Sequence, residues 1–236
     1  ALKLADGDYL MLCDHDDVLE LNALYEIAKA LNTGGRPDIV YTDEDKVTMD
    51  GKEYFDPHFK PDFNWNLLRR NNYICHIFAV SKKILQQIGD FRKEYDGAQD
   101  FDFILRCCEK AKRIYHIPKV LYHWRSHPNS TAGNPASKMY AYENGRKAVE
   151  AHYERIHQEA EVTMTPYWGR YRSKLKYKGK PLVSIIIPNK DHIDDLERCL
   201  KSIYEISTYD NFEVLIVENN SSSQETFLYY EQVQKT

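Results

Sequence analysis

The chain has 236 residues, of which 42% are hydrophobic and 29% are charged, a balance that is ordinary for a globular protein. The formal net charge of −4 gives no general argument for nucleic-acid binding, and no apolar run approaches the roughly 20 residues needed to cross a bilayer. Five cysteines at irregular spacings predict neither a disulfide framework nor a zinc site, so we expect a reducing, cytoplasmic setting.

The chain starts without methionine and almost directly on a strand, and we expect it to be an excised fragment. Residues 8–13 form a short apolar run typical of a buried strand, and Asp14-His15-Asp16-Asp17 follow at once. Acids crowded at the end of such a strand repel one another unless a cation lies between them, and ligands bind at that edge of an α/β sheet. The pattern favours a divalent metal holding a phosphate-bearing ligand. The alternative is that Asp17 caps a helix and the others are solvated turn acids.

Helices and strands then alternate. We predict helices from about 21 to Gly34, at 81–88, from about 99, and from about 135 to 155 with Asn134 as N-cap and Pro135 at the first position. We predict strands at 38–42, 73–80, 114–116 and 120–125, and a covering or functional loop at 46–66.

A basic stretch at 161–180 with Gly169 and Gly179 predicts a linker or an irregular strand. A new β-α-β-α unit follows at 183–187, 194–206, 212–217 and 221–234, which implies parallel strands joined by a crossover helix. We therefore expect one unit at 1–160, a linker at 161–180 and a second unit at 181–236.

Several motifs together resemble family 2 glycosyltransferases of the GT-A fold, bacterial enzymes that transfer sugars from nucleotide donors. The motifs, which cover most of residues 1–135 in the family's order, are residues 7–17, Tyr41-Thr42-Asp43-Glu44-Asp45, Gly97-Ala98-Gln99-Asp100 with Leu105-Arg106, and Tyr122-His123-Trp124-Arg125. Residues 183–188 followed by Glu218-Asn219-Asn220-Ser221 resemble the opening half of another such domain. The resemblance implies an α/β GT-A sheet flanked by helices, with the back half of one domain joined to the front half of the next.

By this resemblance, Asp14 and Asp16 are the DXD pair: Asp16 binds Mn²⁺ or Mg²⁺ on the donor diphosphate, and Asp14 contacts the metal or the ribose. The family also implies a histidine near the metal, matched by His123 or by His127, and a basic group on the diphosphate, matched by Arg125. His123 and Arg125 share one face of a strand, and a polar surface strand is the alternative interpretation.

Asp100 matches the family's catalytic base for an inverting displacement, although the family usually has Glu where this chain has Gln99. The alternative is a first-turn acid that complements the helix dipole. Asp191 and Glu218 follow strands where the family binds the nucleotide, although it usually has Asp at the position of Glu218. Asp43 and Asp45 either shape the acceptor site or lie in a solvated loop.

The expected function is transfer of a sugar from a nucleotide-diphosphate donor to a saccharide or lipid-linked saccharide in bacterial surface-polysaccharide synthesis. The full-length protein would act in the cytoplasm or peripherally at the inner face of the membrane. Residues 14–18 also fit the DxDx(T/V) signature of haloacid-dehalogenase-like Mg²⁺-dependent phosphohydrolases, for which Lys119 and Asp100 to Asp102 would supply the later groups. A non-catalytic sugar-nucleotide-binding fragment is the third possibility.

In the GT-A fold the first strand lies beside the strand that carries the DXD acids, and residues 1–160 lack such a first strand. An unpaired apolar edge at 10–12 recruits a partner, and 183–187 is the equivalent strand of the second unit. Residues 161–180 could span about 60 Å if extended. We therefore expect the second unit to complete the first sheet, within one chain or by exchange in a homodimer, and the fragment to be weak or inactive as an enzyme.

Overall fold

The computed structural model describes residues 2–33, 35–126 and 139–234. The chain divides into two compact units, Ala1–Lys176 and Tyr177–Thr236. A mixed sheet of six strands organises the first unit. Its strands are β1 (Tyr9–Leu12), β2 (Val18–Leu19), β3 (Ile39–Val47), β4 (Tyr54–His58), β5 (Phe78–Ser81) and β6 (Ile114–Arg125).

The strand order is β1-β5-β3-β6-β2, with β4 paired to β3 outside this path. The β3–β6 pair is parallel, and the other pairs are antiparallel. The helices of the first unit are α1 (Ala23–Thr33), α2 (Trp65–Arg70), α3 (Lys82–Ile88), α4 (Gln99–Lys110) and α5 (Met139–Arg155). Two short 3-10 turns lie at Leu2–Leu4 and Lys93–Tyr95.

Helices cover both faces of this sheet. Strand β3 is apolar at successive positions because each of its faces is buried. Ile39 and Tyr41 pack in a core with Phe103 and Ile104 of α4, whereas Val40 packs in a second core with Ile27 of α1. The α/β fold class expected from the sequence is therefore confirmed.

Besides the strand expected at 73–80, which starts only at Phe78, three local features differ from the sequence predictions. The expected loop at 46–66 contains β4 and the start of α2, and its Lys60 is buried. The two strands expected around Pro118 are one strand, β6, which passes the proline through a shift in its register with β3. The Asn134 cap and the start at Pro135 expected for α5 lie outside the described residues.

The expected linker is the third difference. Its first part forms an antiparallel hairpin of β7 (Ala160–Met164) and β8 (Tyr171–Leu175) that belongs to the first unit. Val162 and Tyr171 are buried, and they join the core that contains α4 and α5. Burial of these two side chains is the physical reason why the segment is not a free linker.

The second unit has the β-α-β-α order that the sequence predicts. It consists of β9 (Val183–Asn189), α6 (Ile193–Ile206), β10 (Phe212–Glu218) and α7 (Gln224–Val233). β9 and β10 form a parallel two-stranded sheet. In the described parts of both units, no helix is long and apolar enough to cross a membrane.

Candidate active site

Four strands meet at one edge of the first sheet. β1, β3 and β6 run in the same direction and end there, and the antiparallel β5 begins there. Leu12 lies opposite Phe78, and Glu44 lies opposite Tyr122. The acids that follow β1, the acids at the end of β3 and the residues just before β5 are therefore neighbours, although the sequence separates them widely.

The turn after β1 is held by the end of β6. The Tyr122 hydroxyl donates a hydrogen bond to the Asp17 carboxylate and accepts one from the Asp14 backbone N–H at 3.1 Å. The Arg125 backbone N–H donates to Asp17 at 2.8 Å, and its Nε donates to the Asp16 carbonyl at 2.6 Å. Burial and the bond to Asp17 raise the pKa of Tyr122, so it stays a neutral donor. Asp17 is thereby fixed, while the carboxylates of Asp14 and Asp16 remain exposed.

His76 lies against this turn. Ligand atoms of Asp14, Asp17 and His76 all lie within 4.8 Å of one another, and His76 Nε2 is 3.9 Å from Asp14 Oδ2. The imidazole stacks on the Tyr122 ring at 4.7 Å and meets the edge of Trp124 at 5.7 Å. His76 is only 9% exposed, yet its Nδ1 has no hydrogen-bond partner among the described residues. Two carboxylates and an imidazole suit a divalent ion such as Mn²⁺, whereas Mg²⁺ prefers oxygen ligands alone.

A buried ion pair holds the segment that carries His76. The Lys60 ammonium donates to Glu44 at 3.1 Å, to the Ile74 carbonyl at 2.7 Å and to the His76 carbonyl. Glu44 also accepts the His76 backbone N–H at 3.2 Å. Burial acts to raise the pKa of Glu44, but the hydrogen bond from His58 and the charge of Lys60 outweigh it, and the pKa is lowered. Glu44 therefore remains an anion that fixes both Lys60 and the His76 backbone.

Asp100 stands in the first turn of α4, as the sequence predicts. One carboxylate oxygen accepts a hydrogen bond from the Asn72 side-chain amide at 2.9 Å. Burial raises the pKa of Asp100, while the Phe101 backbone N–H and the charge of His76 act to lower it and the charge of Asp14 acts to raise it. The bond from Asn72, four residues before His76, places Asp100 beside the segment that carries His76.

The structure does not bring His123 to Asp14 and Asp16. Its Nδ1 is 2.6 Å from Asp45 Oδ1 and its Nε2 is 3.2 Å from Glu20 Oε2. Because both ring nitrogens have carboxylate partners, the expected metal set of Asp14, Asp16 and His123 is not assembled here. Asp16 also lies outside the described metal cluster. The other expected histidine, His127, lies outside the described residues.

Arg125 and Asp43 have local partners. Nη1 of Arg125 donates to the Met49 carbonyl at 2.9 Å and to the Thr48 carbonyl at 3.3 Å, in addition to the bonds that hold the acid turn. Asp43 is buried, where it accepts the Lys60 backbone N–H at 2.9 Å and pairs with His116 at 2.8 Å. The interpretation of Asp43 and Asp45 as solvated loop acids is wrong, because β3 continues through both positions and each carboxylate pairs with a histidine.

In the second unit, Asp191 binds the start of α7. Its carboxylate accepts the backbone N–H groups of Ser222 and Ser223 at 2.9 Å, and these bonds lower its pKa to about 2. Glu218 accepts hydrogen bonds from the backbone and hydroxyl of Ser221 and from the Tyr230 hydroxyl. The Ser221 bonds are the main cause of the lowered pKa of Glu218. Asp191 follows β9 and Glu218 is the last residue of β10, so both acids lie at the same edge of their own sheet.

His76 and Asn72 were not predicted from the sequence as site residues. His76 falls inside a stretch expected to be regular strand, and the structure starts β5 only at Phe78. Nothing in the local pattern separates His76 from an ordinary strand residue. The available signal was the polar pair Asn71-Asn72 just before an apolar run, because such residues mark an irregular approach to a strand.

Comparisons with known proteins agree with this architecture. Residues 184–235 match the family model described as glycosyl transferase family 2. The chain is 40% identical over 237 residues to the uncharacterized protein y4gI of Sinorhizobium fredii and 38% identical over 226 residues to the O-antigen biosynthesis protein RfbC of Myxococcus xanthus. The alignments cover 99% and 96% of this chain but only 26% and 18% of those proteins, so the chain spans about a quarter or less of their length. The family 2 resemblance and the GT-A type of fold are thereby confirmed.

Proposed function

We propose that this chain is part of an inverting glycosyltransferase that moves a sugar from a nucleotide-diphosphate donor to a saccharide or lipid-linked saccharide acceptor in bacterial surface-polysaccharide synthesis. The observation that carries the proposal is the assembly of Asp14, Asp17 and His76 at one sheet edge, with Asp100 hydrogen-bonded to Asn72 on the segment that carries His76. The similarity to an O-antigen biosynthesis protein supports the polysaccharide context.

The cluster fits a donor diphosphate that carries a divalent ion. Asp14 and His76 would supply ligands to Mn²⁺, whereas Mg²⁺ would be held by the carboxylates alone, and Asp16, half exposed on the same turn, is the remaining DXD carboxylate. When bound, such an ion stabilises negative charge on the departing diphosphate. Tyr122 and Arg125 hold the turn, so that Asp14 and His76 are already in position before a donor arrives.

Asp100 would remove the proton from the acceptor hydroxyl. The acceptor oxygen then forms a bond to the anomeric carbon while the bond from that carbon to the diphosphate oxygen breaks, which inverts the configuration. A base with a raised pKa holds the proton more firmly once it is transferred, and Asn72 fixes one oxygen so that the other can face the acceptor. In the second unit, Asp191 and Glu218 are proposed nucleotide contacts.

The phosphohydrolase alternative has less support. It requires a lysine beside the acid turn, but Lys119 pairs with Glu26 of α1 at 2.7 Å. It also needs later acids near the metal, but Asp102 is fully buried between Arg92 and Arg106. Neither residue can serve the turn after β1 without breaking its existing ion pair.

The test uses the full-length protein with UDP-, dTDP- and GDP-sugars and Mn²⁺. We expect one nucleotide class to bind in a metal-dependent manner and to release nucleoside diphosphate when a suitable saccharide is present. Asp100→Asn serves as the matched control, since it should bind donor without turnover. Release of phosphate from simple phosphate esters without any sugar nucleotide would contradict the proposal. Donor binding without transfer by the wild-type protein would instead identify a binding module.

A further inference from the structure

The β7–β8 hairpin carries an unusual distribution of charge. Residues 162–190 contain no acidic residue, and Glu161, opposite Lys174 in the register of the two strands, is the one acid in the hairpin. Within the first unit, basic residues occupy every second position of this stretch, as Arg170, Arg172, Lys174 and Lys176. Because side chains alternate along a strand, these four lie on one face of the hairpin. All four are exposed.

The opposite face fixes the hairpin to the first unit. The Tyr171 ring stacks on Phe101 at 6.1 Å, and its hydroxyl donates to the Tyr142 carbonyl at 3.0 Å. Burial raises the pKa of Tyr171, so that it remains a donor. Val162 on the paired strand is also buried. The basic face is therefore presented in a fixed orientation.

Exposed aromatic side chains lie in the turn of the same hairpin. Tyr167 is 65% exposed and Trp168 is 52% exposed. Trp168 rests on the Tyr142 ring at 5.4 Å, and the Arg170 guanidinium lies over Tyr167 at 5.7 Å. Within the described part of the chain, Arg172 and Lys174 form no ion pair. Their charges are thus available to an external anion.

We propose that the basic face and the aromatic turn of the β7–β8 hairpin bind the surface of an anionic phospholipid bilayer. Four cations, offset by Glu161 alone, lie on one face of the hairpin and match a dense layer of negative headgroups, and each such cation near the surface adds to the attraction. Tyrosine and tryptophan are the side chains that settle at the headgroup level. An extended polyanion such as RNA would use the cations and would need open ring faces on which to stack its bases. One face of Trp168 is already covered by Tyr142 and one face of Tyr167 by the Arg170 guanidinium, so the bilayer is the better match.

The binding test is independent of the proposed transferase activity, because it uses no sugar nucleotide. The full chain is sedimented with vesicles of phosphatidylcholine alone or mixed with phosphatidylglycerol. We expect binding only to the mixed vesicles, and binding that weakens as salt is added. The double variant Arg172→Glu/Lys174→Glu should lose about 30-fold or more in vesicle affinity. The control Lys29→Glu/Lys83→Glu makes the same charge change at exposed positions outside the hairpin and should bind like the wild type.

Tryptophan emission supplies a second readout that does not depend on the charge variants. Trp168 emission should shift to the blue on mixed vesicles and be quenched by brominated lipid, and Trp168→Phe should remove both effects. Equal loss of binding in the two double variants would show that net charge alone is responsible and would overturn the proposal. It would also be overturned by equal binding to neutral vesicles, or by capture of RNA without any binding to mixed vesicles.

Discussion

His76 combines near-complete burial with a ring nitrogen, Nδ1, that lacks a hydrogen-bond partner in the part of the chain that the structure describes. A buried polar atom without a partner costs free energy, so its persistence calls for a compensating role. The other ring nitrogen, Nε2, is the one that lies 3.9 Å from Asp14, so Nε2 is the atom through which His76 would bind the proposed metal.

We predict that His76→Phe, which keeps an aromatic ring against Tyr122 but removes both nitrogens, weakens metal-dependent donor binding about tenfold or more. Calorimetry of the full-length protein with Mn²⁺ and sugar nucleotide measures this directly. Asp16→Asn is the comparison, since the DXD resemblance also predicts a loss for it. Normal binding by His76→Phe together with a loss in His123→Phe would restore the metal set expected from the sequence.

Asp100 gives a prediction that couples turnover to stability. Asp100→Asn should lower turnover by about 10²-fold or more while donor binding is nearly unchanged. Because burial raises the pKa of Asp100 above its unfolded value, the ionised side chain destabilises the fold at neutral pH, and this cost disappears as pH falls below the folded pKa. The Asn variant should therefore unfold at a higher temperature than the wild type at pH 7, with the difference shrinking toward pH 4.

Near-normal turnover of Asp100→Asn would identify Asp100 as a helix-start acid. The pH profile separates the two roles further, because a base must lose activity as the solution becomes more acidic than its folded pKa. Asp90→Asn is a suitable control, since it changes a carboxylate outside the proposed site.

At the scale of elements, the segment between β4 and β5 is held by the pair of Lys60 and Glu44. The Lys60 side chain is fully buried and Glu44 is nearly so. We predict that Lys60→Met destabilises the protein by about 3–5 kcal/mol, because it leaves the Glu44 anion without its cation. Urea unfolding measures the change. Lys83→Met, at an exposed lysine, should cost little, and Lys60→Met/Glu44→Gln should recover part of the loss. Equal effects of Lys60→Met and Lys83→Met would contradict the argument.

Asp191 connects the end of β9 to the start of α7. We predict that Asp191→Ala lowers the unfolding temperature, whereas Asp191→Asn, which keeps an acceptor for the Ser222 and Ser223 N–H groups, retains most of it. The depressed pKa gives the sign of the pH dependence: the stabilisation is present above the unfolded value of about 4 and is lost as pH falls toward about 2.

Nucleotide titration of the same two variants tests the second role of Asp191. A nucleotide contact requires that Asp191→Asn bind nucleotide more weakly even though its helix is intact. Unchanged affinity would leave Asp191 with its helix-capping role alone.

At the scale of the whole molecule, the six-stranded sheet of the first unit and the β9–β10 sheet of the second unit each have an edge strand with one pairing partner. Among the described strands, β1 pairs with β5 alone and β9 pairs with β10 alone. Ile186 on β9 and Val217 on β10 are exposed, although both strands have the continuous apolar character of strands buried on two faces. A two-stranded sheet of this kind is marginally stable by itself. The expectation that the second unit completes a larger sheet, within one chain or by exchange between two, stays a prediction.

Deletion of residues 181–236 tests this expectation. If the second unit completes the first sheet, the remaining chain should aggregate or unfold at a lower temperature, because the apolar edge at β1 is left uncovered. Thermal unfolding and light scattering supply the measurements. A truncated chain that stays monomeric and equally stable would show that the two units fold independently.

The sequence by itself determined the elements whose signals are local. The apolar run before Asp14 predicted β1 and its acid turn, the helical spacing of Phe101, Leu105 and Cys108 predicted α4, and the order of patterns after 181 predicted β-α-β-α. These features depend on periodicity and on turn residues, which neighbouring positions reveal. These local signals did not predict the β7–β8 hairpin. Its composition is polar and basic, and nothing in it indicates that Val162 and Tyr171 are buried.

Only the tertiary structure decided which side chains meet. Sheet order places β5 between β1 and β3, and this brings His76 to Asp14 and Glu44 while His123 turns to Asp45 and Glu20. The sequence shows that His123 and Arg125 share one face of a strand. It does not show the partners of His123, because Asp45 and Glu20 are far from it along the chain. A buried lysine that holds a distant backbone segment leaves no local pattern either. Strand pairing and burial, which are properties of the folded chain, therefore fixed the candidate site.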